Sequence, residues 1–422
     1  MLRQLWERAK AKVKWYWRRE PEKTDLYRLV SSGRDELPRV WEERFQSIYG
    51  VLRDEVLKTF DAFLNCGLLE HGAARVYCDA CCHSYLVAFS CKMRGVCASC
   101  MAKRSVKFAE HIYEQVLEKV GHRHITFTIP KRVRVFLRYD RALNDLLFEA
   151  AWATLRECLG EGGALAVVLT VQSAGEALNP HPHLHGIMAN GCFREDGTFV
   201  PFGEVDQAKL TRCFATRVLA ALRQKELISD ENVAQILSQE HTGFSVWVGE
   251  PFEDKERTLF VARYIERCAL SQEKLTIDED VVTYTTNDGR AHEYDVLEFL
   301  ALLSVSIPKP GESVIRYYGW YSCRGRGERK KKNRPPVPRI SELPEEPAPK
   351  PSLSWAQCMK RILEINPLEC PHCGAEMRIV AFLHDHHEIE KIMRSLGIPK
   401  GQSPPPVPMP RFGAGEELLC LP

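Results

Sequence analysis

Ala164-Leu-Ala-Val-Val-Leu-Thr-Val-Gln172 is followed closely by Asn179-Pro-His-Pro-His-Leu-His-Gly-Ile-Met188. The first stretch is a continuous apolar run rich in valine, the pattern of a buried strand. His183 to Met188 reads as its partner strand. In an extended chain alternate side chains share a face, so His181, His183 and His185 all point the same way. A lone histidine is more often a satisfied core or surface residue, whereas three at period two beside a buried strand favour a metal or catalytic site.

Outward from these strands the chain mixes strands and helices. His124 to Ile129 alternates polar and apolar as a half-buried strand should, and Pro130 ends it. Helical patterns cover Asp140 to Leu159, Val205 to Leu227 and Asp254 to Leu270, the last carrying Tyr264, and Phe244 to Val248 alternates again. Val281 to Thr286, Asn287-Asp288-Gly289 and Ala291 to Val296 read as a hairpin, because Asp-Gly supplies the positive backbone angles of a tight turn. Upstream, Pro38 to Asn65 reads as one or two amphipathic helices and Val106 to Val116 as another.

The 422 residues, 45% of them hydrophobic, are enough for a sizeable core. No apolar run approaches the roughly 20 residues that span a bilayer, and MLRQLWERAKAKVKWYWRRE has no uninterrupted apolar stretch, so we expect a cytoplasmic protein without membrane contact. A net charge of +2 gives no reason by itself to expect a polyanionic partner. The cations are clustered, however: Arg3, Arg8, Lys10, Lys12, Lys14, Arg18 and Arg19 at one end, and Arg324, Arg326, Arg329, Lys330, Lys331, Lys332 and Arg334 in a second block. Each block alone fits a solvated face as well as a nucleic-acid contact.

Sixteen cysteines in a long chain without a secretion signal point to metal ligands rather than disulfides. Cys78-Asp-Ala-Cys81 and Cys97-Ala-Ser-Cys100 each place two thiolates on one turn, and four thiolates around one ion are what structural zinc asks for. Cys66, His71, Cys82 and Cys91 stand nearby, and Cys91 or His71 remains open as a replacement ligand or as part of a second site. Lys92, Arg94, Lys103 and Arg104 surround the pairs and would display cations to DNA phosphates. Cys370 and Cys373 form a further pair, which His384, His386 and His387 are placed to complete.

Two chemistries use such a histidine strand. In histidine-triad nucleotide hydrolases a histidine attacks phosphate; in HUH endonucleases two histidines flanking a bulky apolar residue hold a divalent metal while a tyrosine attacks DNA. The rest of the chain decides. Gln172, Ala177-Leu178-Asn179, Pro182-His183-Leu184-His185, Tyr77-Cys78, Ala88 to Lys92, Arg104, Ala262-Arg263-Tyr264, Arg316-Tyr317-Tyr318-Gly319 and Cys370-Pro-His-Cys373-Gly stand in one order. Together they resemble the rolling-circle HUH transposases of the insertion-sequence-ninety-one and ISCR group, over most of the chain from about Cys66 to Pro399.

The resemblance implies that His183 and His185 bind a catalytic Mg or Mn ion and that Tyr264 becomes joined to the 5′ phosphate of cut single-stranded DNA at transposon ends. It departs from the pattern in two places. His181 stands where relatives tend to carry Asn, which leaves it open as a third ligand, a proton carrier or a neutral replacement, and Gln172 on the neighbouring strand competes for the ligand role and is slightly favoured. Cys268 stands where tandem-tyrosine relatives carry a second tyrosine, which argues for a single-tyrosine enzyme. Arg263 and Arg267, spaced i, i+4 around Tyr264, fit phosphate contacts or solvation equally. Tyr317 and Tyr318 beside Arg316 and Trp320 fit base stacking or packing.

The expected architecture is α+β, with an HUH-type central antiparallel sheet flanked by helices. Its expected parts are an N-terminal helical region (1–65), a zinc-binding domain (66–120), the tyrosine transposase domain (121–324), a basic and proline-rich linker (325–354), a small C-terminal module (355–400) and a tail (401–422). Structural zinc and catalytic Mg or Mn are the expected cofactors. A non-catalytic DNA-binding remnant, a replication initiator or relaxase of the same chemistry, and homo-oligomerisation stay open.

Overall fold

A computed structural model of the chain describes residues 20–239, 241–331 and 368–397. The amino-terminal basic block, Lys332, Arg334, most of the expected linker and the proline-rich tail lie outside the described residues.

Four helices come first: α1 (Asp25–Gly33), α2 (Leu37–Arg44), α3 (Gln46–Tyr49) and α4 (Asp54–Leu64). Strands β1 (Ala73–Tyr77) and β2 (Ser84–Ala88) precede α5 (Ala98–Gln115), β3 (His122–Thr128), α6 (Lys131–Tyr139) and α7 (Asn144–Leu159). Then come β4 (Ala166–Ala174), β5 (Pro180–Ala189), β6 (Gly191–Phe193), β7 (Phe199–Pro201), α8 (Gln207–Gln224), α9 (Asp230–Leu237), β8 (Ser245–Val248) and α10 (Lys255–Ile265). The described chain continues with β9 (Leu275–Asp278), β10 (Val281–Thr285), β11 (Ala291–Asp295), α11 (Val296–Ser304), β12 (Ile315–Gly319), α12 (Cys323–Lys331), β13 (Arg378–Leu383) and α13 (His386–Ser395). The start of the expected linker is thus helical as far as Lys331.

The chain divides into two compact units. The smaller joins residues 20–31 and 60–93 to the described carboxy-terminal residues, with sheet order β13-β1-β2. Both pairings are antiparallel, Ala73 facing Leu383 on one side and Ala88 on the other. One set of alternate residues, Ala73, Leu86 and Leu383, packs with Leu69 and with Ile389 and Met393 of α13. The other set, Val76 and Val87, packs with Cys78, Cys370 and Met377.

The larger unit, residues 32–59 and 94–350, is built on a five-stranded antiparallel sheet in the order β12-β4-β5-β3-β8. Its central strands β4 and β5 are buried on both faces over most of their length, which explains why β4 reads as an unbroken apolar run. Val167, Leu169 and Val171 of β4, Leu184 and Met188 of β5 and Ile125 and Phe127 of β3 point to one core, packed under α7 and α8. Ala166, Val168, Ile187 and Ala189 point to the opposite core with Phe108, Ala109 and Ile112 of α5 and Val261, Ala262 and Ile265 of α10. Period two therefore assigns His122, His124, Thr126, Thr170, Gln172, His183 and His185 to the face that α10 covers.

Local signals set these elements. Pro130, fixed near φ −66°, caps α6 and ends β3. The Asp254 carboxylate accepts from Arg257 N at 2.6 Å and starts α10. Gly289 takes φ +81° in the turn between β10 and β11, as its Asp-Gly sequence demands. Gly186 lies opposite Ile125 and Leu169, and a Cβ there would meet Val168 O at 2.5 Å. The glycine after His185 is what lets the three central strands close together.

Candidate active site

The register places Thr126 and Thr170 beside His185, and Gln172 beside His183, in a patch spanning β3, β4 and β5. His183 is 9% exposed and His185 7%. His183 Nδ1 lies 2.6 Å from the carbonyl oxygen of His181. A carbonyl only accepts, so that nitrogen carries the proton and the Nε2 lone pair is left outward. It faces His185 Nε2 at 3.0 Å. The other nitrogen of His185, Nδ1, lies 3.1 Å from both His124 Nε2 and Thr126 Oγ1.

Burial holds these imidazoles neutral. It depresses His183 and His124 to about 4 and His181 to about 3, while His185 is driven well below its ordinary value by burial and then by the neighbouring histidines. The cations of Arg134 and Arg267 push His183 further in the same direction. Neutral imidazole is the form that ligates a metal. Two nitrogens 3.0 Å apart subtend roughly 90° at an ion about 2.1 Å from each, the cis angle of an octahedral magnesium-type site. The pair therefore fits the divalent ion that the resemblance implies.

The two contenders for a third ligand differ. Gln172 turns its amide N–H groups to the carbonyls of Tyr264 and Ile265, at 3.4 and 3.3 Å, and so ties the end of α10 to β4 with its own carbonyl oxygen uncommitted to those bonds. His181 has its ring 4.8 Å from that of His183, and its Nε2 is buried without a hydrogen-bond partner among the described residues. Among those residues, the groups of three or more histidine, cysteine or acidic donors mutually within 4.8 Å consist of cysteines, so His181 does not join the His183–His185 pair that closely.

Tyr264 occupies the penultimate position of α10, half-buried, with its ring edge-on to His185 at 5.5 Å and to His124 at 5.7 Å between centroids. Arg267 lies over the Tyr264 ring at 4.1 Å and extends one N–H to the phenol oxygen at 3.4 Å. The helix ends at Ile265, short of the Leu270 expected from its pattern, so Arg267 stands beyond the helix and folds back on the tyrosine. Arg263, on α10, has its guanidinium half-buried and its pKa lowered by that burial. Tyr318 stacks on Trp152 at 5.0 Å, a packing role. Tyr317 is half-buried against the α5–α10 core with Arg326 5.4 Å from its ring.

Arg94 and Arg104, expected as phosphate contacts, both reach Glu266, at 3.3 and 2.7 Å. That carboxylate is buried at the end of α10, which raises its pKa, and Arg104 opposes the rise. His124, Thr126, Arg134 and Glu266 were not singled out from the sequence. The signal for the first two was present: His122-Arg-His124-Ile-Thr126 has the same period-two polarity as the strand carrying His183.

The cysteines require a correction. The thiols gathered with Cys78 and Cys81 are those of Cys370 and Cys373, not the expected Cys97 and Cys100. Cys78 Sγ lies 3.6 Å from Cys373 Sγ, and Cys81 Sγ 3.4 Å from Cys370 Sγ. The reason is topological, since β13 pairs with β1 and draws the distant pair in. Cys97 and Cys100 belong to the larger unit, at the start of α5. In the smaller unit Cys91 N donates to Cys66 Sγ at 3.3 Å. His384, His386 and His387 do not complete the Cys370–Cys373 set; His386 Nε2 pairs with Glu390 at 3.2 Å.

Family comparisons match residues 37–129 to a transposase zinc-binding domain and residues 166–329 to a putative transposase domain. The chain is similar to the transposase for insertion sequence element IS801 of Pseudomonas savastanoi pv. phaseolicola, 24% identical over 353 residues that cover 78% of this chain and 84% of that one. It is also similar to the putative transposase y4qJ of Sinorhizobium fredii, 25% identical over 283 residues, 60% of this chain and 71% of that one. No solved structure matches the chain. The matched domains and the similar relatives define a transposase. More narrowly, the chain belongs to the transposases of the insertion-sequence-ninety-one family. Among the described residues no helix is long and apolar enough to cross a membrane.

Proposed function

We propose that this transposase nicks and rejoins single-stranded DNA at transposon ends through a covalent bond between Tyr264 and a 5′ phosphate. The observation that carries this reading is the shared face: His183 and His185 present facing Nε2 atoms 3.0 Å apart, and the Tyr264 ring stands 5.5 Å from His185 on the same side of the sheet. A bound Mg or Mn ion would draw charge from the scissile phosphate and so make it a better target for a weak nucleophile.

The chain's own residues supply the rest. His181 and His124 orient the two ligand imidazoles, and Gln172 fixes the end of the helix from which the phenol projects. Arg267, beside the phenol oxygen, is placed to meet the anionic phosphate. The tyrosine oxygen bonds to phosphorus as the bond from phosphorus to the 3′ oxygen breaks. The phenolic proton leaves through solvent and the released strand end departs as a 3′ hydroxyl. Attack by a 3′ hydroxyl on the phosphotyrosine reverses the step and joins the strand. With Cys268 in place of a second tyrosine, half-buried and with its thiol pushed up to about 11 by desolvation, the same Tyr264 serves each round.

The test is a labelled single strand carrying a transposon end, incubated with manganese and denatured. Wild-type protein should retain the label covalently and Tyr264→Phe should not. An adduct formed equally by Tyr264→Phe removes the nucleophile assigned here. Absence of any adduct with the element's own ends favours a protein that binds DNA without cutting it.

A further inference from the structure

We propose that the zinc site of the smaller unit is formed by Cys78, Cys81, Cys370 and Cys373, so that the carboxy-terminal segment supplies half of its ligands. Neither matched domain extends as far as Cys370. The four Sγ atoms lie within 4.8 Å of one another, and the two contacts across the pairs are 3.6 and 3.4 Å. Tetrahedral zinc with bonds of about 2.3 Å sets its sulfurs roughly 3.8 Å apart, so the donor set fits with little movement.

The surrounding fold presents both pairs in the same way. Cys78 N donates to His83 O as the chain leaves β1, and Cys370 N donates to Ala375 O in the turn that leads to β13. Each pair thus sits on a tight turn, and β1 and β13 run antiparallel beside each other from Ala73↔Leu383 to Tyr77↔Arg378. Arg378 adds a two-pronged contact to Asp79, at 2.6 and 2.9 Å, between the ligand turns. His83 and His372, one from each turn, stack at 4.1 Å. Cys81 and Cys370 are 289 residues apart, so this ion closes a loop that contains the whole putative transposase domain. The zinc site can form only after the chain's far end has been made, and cleavage within 332–367 would leave two pieces held by metal and sheet.

Alkylation of the full-length, zinc-loaded wild-type protein tests the ligand set without any mutation. Cys81, Cys82, Cys323 and Cys373 are all exposed. With zinc bound, Cys82 and Cys323 should be labelled by iodoacetamide while Cys81 and Cys373 resist; after chelation all four should be labelled. If Cys373 reacts as fast as Cys323 while Cys81 is protected, the proposal is overturned. As a second arm, Cys370→Ser/Cys373→Ser should hold one zinc fewer per chain than wild type. In cobalt-loaded protein Cys373→His should keep the ion with a spectrum shifted by replacement of one sulfur; unchanged zinc content in the first variant, or an unchanged spectrum in the second, also refutes the assignment.

Discussion

Replacing His124 with leucine tests whether the buried polar face prepares the metal site proposed at His183 and His185. His185 can offer its Nε2 lone pair to a cation only when its proton sits on Nδ1, and that proton needs an acceptor. Two are present at 3.1 Å, His124 Nε2 and Thr126 Oγ1. Loss of an orienting partner of a ligand histidine costs about 10- to 100-fold in metal affinity. With Thr126 still in place, His124→Leu belongs near the low end, about 10-fold weaker manganese binding. In His124→Leu/Thr126→Val the Nδ1–H is left buried without an acceptor, a loss of about 1–3 kcal/mol, which moves the effect to about 100-fold. Calorimetric titration with manganese measures both, and adduct formation at increasing manganese should recover toward the wild-type rate. Wild-type affinity in the double variant, or a cleavage defect that saturating manganese leaves untouched, would refute the reasoning.

Acid should destabilise the protein in a defined window. His122, His124 and His183 are held near 4 by burial against an ordinary 6.5, so between those values the unfolded chain takes up protons that the folded chain refuses. The stability they contribute is full above about 6.5 and is lost as pH falls toward about 4; a melting temperature constant across that range would contradict it. Gly186→Ala should cost about 3 kcal/mol in denaturant unfolding, the upper end for overpacking, because the added carbon meets the backbone oxygen of Val168 in the centre of a sheet. An effect near zero would show that the strands can separate there. Glu266→Ala should cost about 2 kcal/mol, less than the 3–5 typical of breaking a fully buried pair because Arg104 is 44% exposed, and should lower adduct yield by loosening the end of α10. Unchanged stability and yield would mean that the two arginines do not hold that helix.

The central sheet was legible because its signals are local. Valine-rich β4, alternating β3 and the histidine strand β5 carry their burial pattern in consecutive residues, and Asp-Gly at 288–289 announces its hairpin. The end of α10 was not. Ala269 and Leu270 continue an apolar pattern, but the carbonyls of Tyr264 and Ile265 are taken by Gln172 of a strand more than ninety residues earlier. Which cysteine pairs come together was not legible for a related reason: spacing shows which two cysteines share a turn and is silent on which turns meet. Arg94 and Arg104 read as a free basic surface because the buried carboxylate that binds them, Glu266, is distant in sequence.

A buried patch of polar side chains is costly unless each finds a partner. Here His183 gives its Nδ1 proton to the His181 carbonyl, so its Nε2 can only accept. Without a cation, His185 must place its proton on Nε2 to satisfy that neighbour, and its Nδ1 then accepts from the Thr126 hydroxyl or from His124. If the two imidazoles hold a cation, the His185 proton would have to sit on Nδ1, where the same two partners could accept it. A threonine hydroxyl and a neutral imidazole can each serve as donor or acceptor. An alanine or a charged group in their places could not do both. The polar residues of β3 thus let one buried histidine exist in two tautomers at little cost, which would suit the divalent ion proposed for this site.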